Sequence, residues 1–216
     1  MNCIVTAGPT FESMDDVRRL TNFSTGRLGS ELADFLVGRG HSVTLLLGEQ
    51  ATYRNEKQTG EVRPFTSTEN LREQLRSLAG NSVQAVFHAA AVCDYTFGRI
   101  WVHPPSGEMV EIKSGKISTR DGALLAELLP TPKIIAELRG WFPAARLVGW
   151  KYEVERARAG AISLAQRQIA ECKTDRAVVN GRAYGEGFGL VAGDGRHVHL
   201  DDKAALFEAL EKFIRG

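Results

Sequence analysis

At 216 residues, 43% hydrophobic and 25% charged, the chain has the composition of an ordinary globular protein with length for one sizeable α/β domain. A net charge of +1 leaves no electrostatic footprint for nucleic acid or an acidic membrane, so an anion has to be held by local groups. Three scattered cysteines suit a reducing compartment better than a disulfide framework or zinc site; with no signal-peptide pattern and no apolar run near the ~18 residues of a membrane span, the expected location is the cytoplasm.

Residues 3–7 read as an apolar strand. Residues 8–29 then form a connection of about twenty residues, where a nucleotide-binding sheet usually takes about two to six. With glycine at both ends and Asn, Ser, Thr and Arg inside, it is a candidate binding site. It opens a helix over 26–39, with apolar residues at Leu28, Leu32, Phe35 and Leu36 and a stop at Gly40. Residues 41–47 suit a buried parallel strand. Residues 49–66 are polar and irregular, with a short strand at 61–65, and Ser67 or Thr68 caps a helix carrying Leu71, Leu75 and Leu78. A third strand covers 85–92. Residues 97–118, with Pro104-Pro105, Gly107 and an alternating 109–112, read as a hairpin or flap. Thr131-Pro132 begins a helix that ends near Arg139-Gly140, and 146–150 is a fourth strand. A helix over 155–172 and a fifth strand at 176–179 follow. Residues 185–200 form a late hairpin bending at Asp194-Gly195, and Asp201 caps a last helix that turns Leu206, Leu210 and Phe213 inward. This order predicts an α/β fold with a doubly wound, mostly parallel, Rossmann-like sheet. It is read as one domain over 1–216, with a flap at about 97–118 and a late β-hairpin, and a ligand at the carboxyl ends of the strands.

The polar residues of interest fall at those ends. After the first strand come Gly8, Thr10, Asn22, Ser24, Thr25, Gly26 and Gly29; the last four open a helix, where free amides and the positive dipole end favour phosphate. The same residues also fit an N-cap with a glycine turn. After the third strand come Ala90, Ala91 and Asp94, and after the fifth Asn180 and the glycine turn at 185–189. Lys116 lies in the flap. Singly each has a plainer reading: Asp94 as a cap, Asn180 as a turn residue, Lys116 as a solvated lysine, and 89–91 as tight packing. The five histidines show no zinc spacing, and His197 and His199 are expected to face solvent from one strand. A Gly-x-Ser-x-Gly elbow, a P-loop and a Gly-x-Gly-x-x-Gly turn are all absent from the sequence.

Several runs taken together carry a resemblance. They are Ala7-Gly-Pro-Thr-Phe-Glu-Ser-Met-Asp15-Asp-Val-Arg18-Arg-Leu-Thr-Asn22-Phe-Ser-Thr-Gly26-Arg-Leu-Gly29, Ala90-Ala-Val-Cys-Asp94-Tyr95, Lys116-Ile117-Ser-Thr, Thr131-Pro-Lys-Ile134, Asp175-Arg-Ala-Val-Val-Asn180-Gly and Gly187-Phe-Gly189. In order and approximate spacing they resemble phosphopantothenoylcysteine synthetase, the second enzymatic domain of the bacterial bifunctional coenzyme A biosynthesis flavoprotein. The resemblance implies a two-step ligation. A nucleoside triphosphate, CTP in most bacterial members and ATP in eukaryotic ones, activates the carboxylate of 4'-phosphopantothenate as an acyl-nucleotide, and the cysteine amine then attacks the acyl carbon. It implies that Asn22 orients the acyl phosphate carbonyl and Lys116 closes over the reacting phosphate. Gly8, Thr10, Ser24, Thr25, Gly26 and Gly29 would hold phosphate, and Ala90, Ala91, Asp94, Trp150, Asn180 and Phe188 the nucleotide. Mg2+ would be held mainly by phosphates. The partners implied are the small-molecule substrates and a second copy of the chain, paired through the flap or the late hairpin, with the decarboxylase step on a separate protein.

The sequence also departs from the family pattern. Phe11 stands where the family has arginine, and Gly149-Trp150-Lys-Tyr-Glu153-Val carries larger side chains than the family's run. Gln168 and Cys172 stand where it has lysines, with Arg167 and Lys173 one position and so about 100° away on a helix. Gly181 replaces an aspartate, and the longer flap offers Lys113 as a second closing lysine. Two alternatives follow: a non-catalytic or repurposed nucleotide-binding relative, or an NADP-dependent short-chain reductase suggested by Thr25-Gly26 and 89–91. The second lacks a Tyr-x-x-x-Lys pair, since Arg156 follows Tyr152 and Arg99 follows Tyr95 at that spacing.

Overall fold

The computed structural model describes residues 1–54, 61–80, 83–104, 107–112, 115–118, 122–155 and 157–216; Pro105, Lys113, Thr119 and Arg156 lie outside them. β1 (Asn2–Ala7) is buried from its second residue onward, as a parallel strand covered on both faces must be. The long connection after it is more ordered than expected. β2 (Phe11–Ser13) and β3 (Arg19–Thr21) pair antiparallel within it, with Phe11 opposite Thr21. α1 (Arg27–Gly38) buries Leu32, Ala33 and Leu36. β4 (Ser42–Gly48), β5 (Glu61–Phe65) and α2 (Thr68–Ser77) follow as expected, and the Ser67 hydroxyl caps α2 by accepting from the Asn70 amide at 3.2 Å.

β6 (Ala85–His88) is shorter than the run expected over 85–92. The physical reason is a side chain: the Ala90 amide donates to the Thr6 hydroxyl oxygen at 3.0 Å, which takes the chain off the backbone ladder. The flap is larger than 97–118. β7 (Tyr95–His103), β8 (Val110–Glu111) and β9 (Ala123–Pro130) form a separate antiparallel sheet in the order β8-β7-β9. α3 (Ile134–Trp141), β10 (Arg146–Tyr152), α4 (Arg158–Cys172) and β11 (Arg176–Asn180) complete the alternating pattern. β12 (Phe188–Ala192) and β13 (His197–Leu200) make the late hairpin, and α5 (Lys203–Arg215) closes the chain. Its cap is Asp202, which accepts from the Ala205 amide at 2.8 Å; Asp201, the expected cap, turns towards His199.

The main sheet has eight strands in the order β13-β12-β11-β10-β6-β1-β4-β5. The six strands from β11 to β5 are parallel, and the two of the late hairpin add antiparallel. The chain winds from β1 outward to β5, then returns to β6 and winds the other way, so the switch point lies between β1 and β6. α1 and α5 cover one face, where Leu32, Leu36, Leu206 and Leu210 meet Val5, Phe87 and Val178. α2 and α3 cover the other with Leu71, Leu75, Ile134 and Leu138, and α4 packs Ala161 and Ala165 against β11. Among the described residues no helix is long and apolar enough to cross a membrane.

Candidate active site

Small residues let three chain segments meet at the switch point. Gly8 and Gly26 have φ of +83° and +75°, a region open to glycine. A Cβ on Gly26 would lie 3.2 Å from Gly8 Cα, and one on Gly29 would lie 2.7 Å from Ala7 Cβ. α1 therefore starts hard against the end of β1. Its N-cap, Gly26, offers no side chain, so the first-turn amides face whatever lies in front of the cradle. Ser24 is half-buried beside it, and the exposed Thr25 accepts from the Arg27 amide at 3.3 Å.

Thr10 is fully buried and turned inward. Its hydroxyl oxygen accepts from the Cys93 amide at 2.8 Å and lies 3.3 Å from the Thr68 hydroxyl, so it ties the strand ends together and offers no group to a ligand. Ala91 donates its amide to the Gly8 carbonyl at 2.9 Å and accepts from the Thr10 amide at 3.2 Å. Asn22 spans this seam: its Nδ2 donates to the Val92 carbonyl at 2.9 Å while the residue stays exposed. Asp94 is exposed one residue past Cys93, its carbonyl accepting from the Thr131 amide at 3.0 Å. Below Ala90 the Thr6 hydroxyl lies 3.0 Å from His88 Nδ1, in hydrogen-bond contact. Burial pushes the His88 imidazole down to about 4, so it is neutral and able to accept.

The segment carrying the exposed Lys116 is tied to the turn between β2 and β3 by a latch that no local sequence pattern reveals. The Asp16 amide donates to the Gly115 carbonyl at 2.9 Å, the Ile117 amide to Asp15 Oδ2 at 3.2 Å, and the Arg18 guanidinium to the Ile117 carbonyl at 3.1 Å. Asp15, with its side chain 1% exposed, also accepts from the Val17 and Arg18 amides and from Arg18 NH1. Burial acts to raise its carboxyl, but the amides of Val17, Ile117 and Arg18 and the Arg18 charge outweigh it and hold the group below the usual carboxylate range. Its sequence signal was local only: an aspartate whose oxygen accepts two and three residues on is an Asx turn.

A second group gathers at the carboxyl ends of β10 and β11. Asn180 and Phe188 line an open cleft of about 600 Å³ with Tyr152, Arg182 and Lys203. Asn180 Oδ1 and Trp150 Nε1 are buried and without a partner among the described residues. Lys203 Nζ lies 2.5 Å from Glu31 Oε2, and Arg27 reaches the same carboxylate at 2.7 Å, joining this cleft to the start of α1. Of the departures, Phe11 carries the Arg19 guanidinium 4.7 Å from its ring centre, which returns a cation to that position. Cys172 is 1% exposed in the core, its thiol pushed up by burial, and Gln168 turns a buried, unpartnered Nε2 towards Gly149.

These features define a doubly wound α/β protein whose candidate site gathers at the switch point of its sheet. The chain belongs to the DNA/pantothenate metabolism flavoprotein C-terminal domain family, whose profile matches residues 1–212. A coenzyme A biosynthesis bifunctional protein CoaBC from Thermococcus kodakarensis is 34% identical over 178 residues, 82% of this chain and 40% of that protein. The chain thus spans less than half the length of this curated relative. Among solved structures, the DNA/pantothenate metabolism flavoprotein from Streptococcus pneumoniae superposes with a TM-score of 0.85 at 24% identity, covering 100% of this chain and 98% of that one. A Cab2 mutant in complex with phosphopantothenate-cysteine superposes with a TM-score of 0.72 at 22% identity, covering 99% and 85%.

Proposed function

We propose that residues 1–216 work as one cytoplasmic phosphopantothenoylcysteine synthetase unit in coenzyme A biosynthesis, using CTP or ATP. Family membership, the relative's name and the Cab2 ligand support this reading. The single observation that carries it is the Asn22 carboxamide pinned across the switch point to the Val92 carbonyl, on the connection that leads into α1. In the first step a carboxylate oxygen of 4'-phosphopantothenate attacks the α-phosphorus and pyrophosphate leaves. In the second the cysteine amine attacks the acyl carbon, an amide forms and the nucleoside monophosphate leaves. Asn22 Nδ2 has two hydrogens, and the one the Val92 carbonyl does not take is offered to the acyl oxygen as charge develops there. The α1 amides with Gly8, Ser24, Thr25, Gly26 and Gly29 hold phosphate, Thr10 positions that cradle, and Lys116, delivered by the Asp15–Arg18 latch, neutralises the reacting phosphate. Ala90, Ala91 and Asp94 flank the nucleotide, with Trp150, Asn180 and Phe188 on its far side.

Among the described residues no three His, Cys, Asp or Glu side chains group to hold a metal. We assign Mg2+ to the triphosphate oxygens, where it would supply charge neutralisation. Decarboxylation of the product falls to a unit outside these residues. The homodimer is assigned to the edge of β9, where Leu125, Leu128 and Leu129 are 45%, 47% and 43% exposed. A repurposed nucleotide-binding relative is the second reading, favoured by the inward-facing Gln168 and Cys172. The deciding assay supplies phosphopantothenate, cysteine, Mg2+ and each of CTP and ATP, and follows pyrophosphate. Release without cysteine is the expected half-reaction; nucleotide binding with no release contradicts the ligase reading.

A further inference from the structure

The turn over 185–188, one wall of the cleft, is held by side chains from three places in the fold. Arg158, at the start of α4, lays its guanidinium 4.3 Å from the centre of the Tyr184 ring. It donates from Nε to the Tyr184 carbonyl at 2.7 Å and from a terminal nitrogen to the Glu186 carbonyl at 3.4 Å. Tyr184 is 2% exposed, and its hydroxyl lies 3.0 Å from His199 Nδ1 and 3.2 Å from the Phe188 carbonyl. The His199 ring is stacked on Tyr184, with centroids 5.8 Å apart, and its Nε2 lies 3.3 Å from Asp201 Oδ1. A carboxylate accepts only, so that contact assigns the imidazole hydrogen to Nε2. Nδ1 is left to accept from the Tyr184 hydroxyl and from an Arg158 N–H at 3.5 Å.

His199 is exposed as expected, its side chain 38% accessible, but one edge of its ring meets the turn. A Cβ on Gly187 would come within 2.7 Å of His199 Cε1, and one on Gly189 within 2.7 Å of the Tyr184 ring. The turn therefore rests directly on the Tyr184–His199 pair. The Phe188 carbonyl, which shares the Tyr184 hydroxyl hydrogen with Nδ1, belongs to a half-buried residue that lines the cleft and packs on the core.

We propose that Tyr184 and His199 are positioning residues for the nucleotide. They fix the backbone of Phe188 and so set nucleotide affinity, while among the described residues the α1 phosphate cradle has no contact with them. The assignment rests on the reading that places the nucleotide beside Asn180 and Phe188. Removing the Tyr184 hydroxyl leaves Nδ1 and the Phe188 carbonyl short of a donor, and the turn relaxes. Removing the imidazole takes away the floor under Gly187.

The test compares the wild-type chain with Tyr184→Phe, His199→Ala and His199→Gln. CTP and ATP are titrated with Mg2+ by calorimetry, and pyrophosphate release gives kcat and both KM values. Nucleotide Kd and KM are expected to rise about five- to tenfold in Tyr184→Phe and His199→Ala, with kcat and the phosphopantothenate KM within about twofold of wild type. His199→Gln, whose carboxamide can still accept from the Tyr184 hydroxyl, recovers most of the loss. Unchanged nucleotide Kd in both variants overturns the assignment, as does an equal fall in every parameter with a lowered Tm. Wild-type chain that binds nucleotide without releasing pyrophosphate overturns the ligase reading alone, and the Kd comparison still decides this one. Wild-type chain that binds neither nucleotide overturns both.

Discussion

At Asn22 one amide hydrogen is committed to the Val92 carbonyl, and in the proposed mechanism the other is offered to the substrate. The side chain is thereby held in place before any ligand arrives, so less rotamer freedom is lost when a charge develops in front of it. His88 performs a similar service out of sight, hydrogen-bonded to Thr6, whose oxygen holds the Ala90 amide. Burial lowers its folded-state value to about 4 from an ordinary imidazole value near 6.5. Between those values the unfolded chain binds a proton that the folded chain does not, so stability rises with pH across the window and is lost as pH falls. The contribution is on the order of 3 kcal/mol. Urea unfolding of His88→Asn between pH 4 and 7 is expected to show a shallower acid slope than wild type by about one proton. Identical slopes would mean that His88 titrates in the fold as it does in the unfolded chain, with no lowered value.

The hairpin of β2 and β3 is the element that turns a long connection into a site. Its tip carries Asp15 and Arg18, which hold the segment bearing Lys116. Because the Asp15 carboxyl is held below its ordinary range, the latch is complete above that range and weakens as pH falls through the lowered value. Asp15→Ala is expected to speed trypsin cleavage after Lys116 about tenfold and to reduce kcat more than the nucleotide KM. Cleavage at the wild-type rate would show that the segment is held some other way. Much of this architecture was legible in the sequence. Glycines at the ends of the 8–29 connection marked it as a candidate site, and Asp194-Gly195 marked the late bend. β2 and β3 were not, because strands of three residues are too short to show a period. β9 escaped for another reason: as an edge strand without a regularly buried face, its Ala-Leu-Leu-Ala-Glu-Leu-Leu-Pro run has no alternation. The latch joins Asp15 to Ile117, residues 102 apart, and no local pattern encodes such a contact.

Across the whole molecule, the two windings of the sheet meet between β1 and β6, and the candidate residues fall on both sides of that seam. The Glu31–Lys203 pair ties the cleft at β10 and β11 to the start of α1, so the proposed phosphate and nucleotide groups would share one frame. On the flap, the leucines of β9 lie at an edge that a second copy would cover. Leu128→Asp is expected to sediment as a monomer where wild type sediments as a dimer; wild type that is monomeric at the same concentration removes that assignment. The most direct test of the central claim is the turnover of Asn22→Ala, followed by pyrophosphate release with phosphopantothenate, cysteine and the preferred nucleotide. The account predicts a fall of about 100- to 1000-fold in kcat, about 2.7–4 kcal/mol of barrier, with an unchanged Tm. Turnover at the wild-type rate would contradict it.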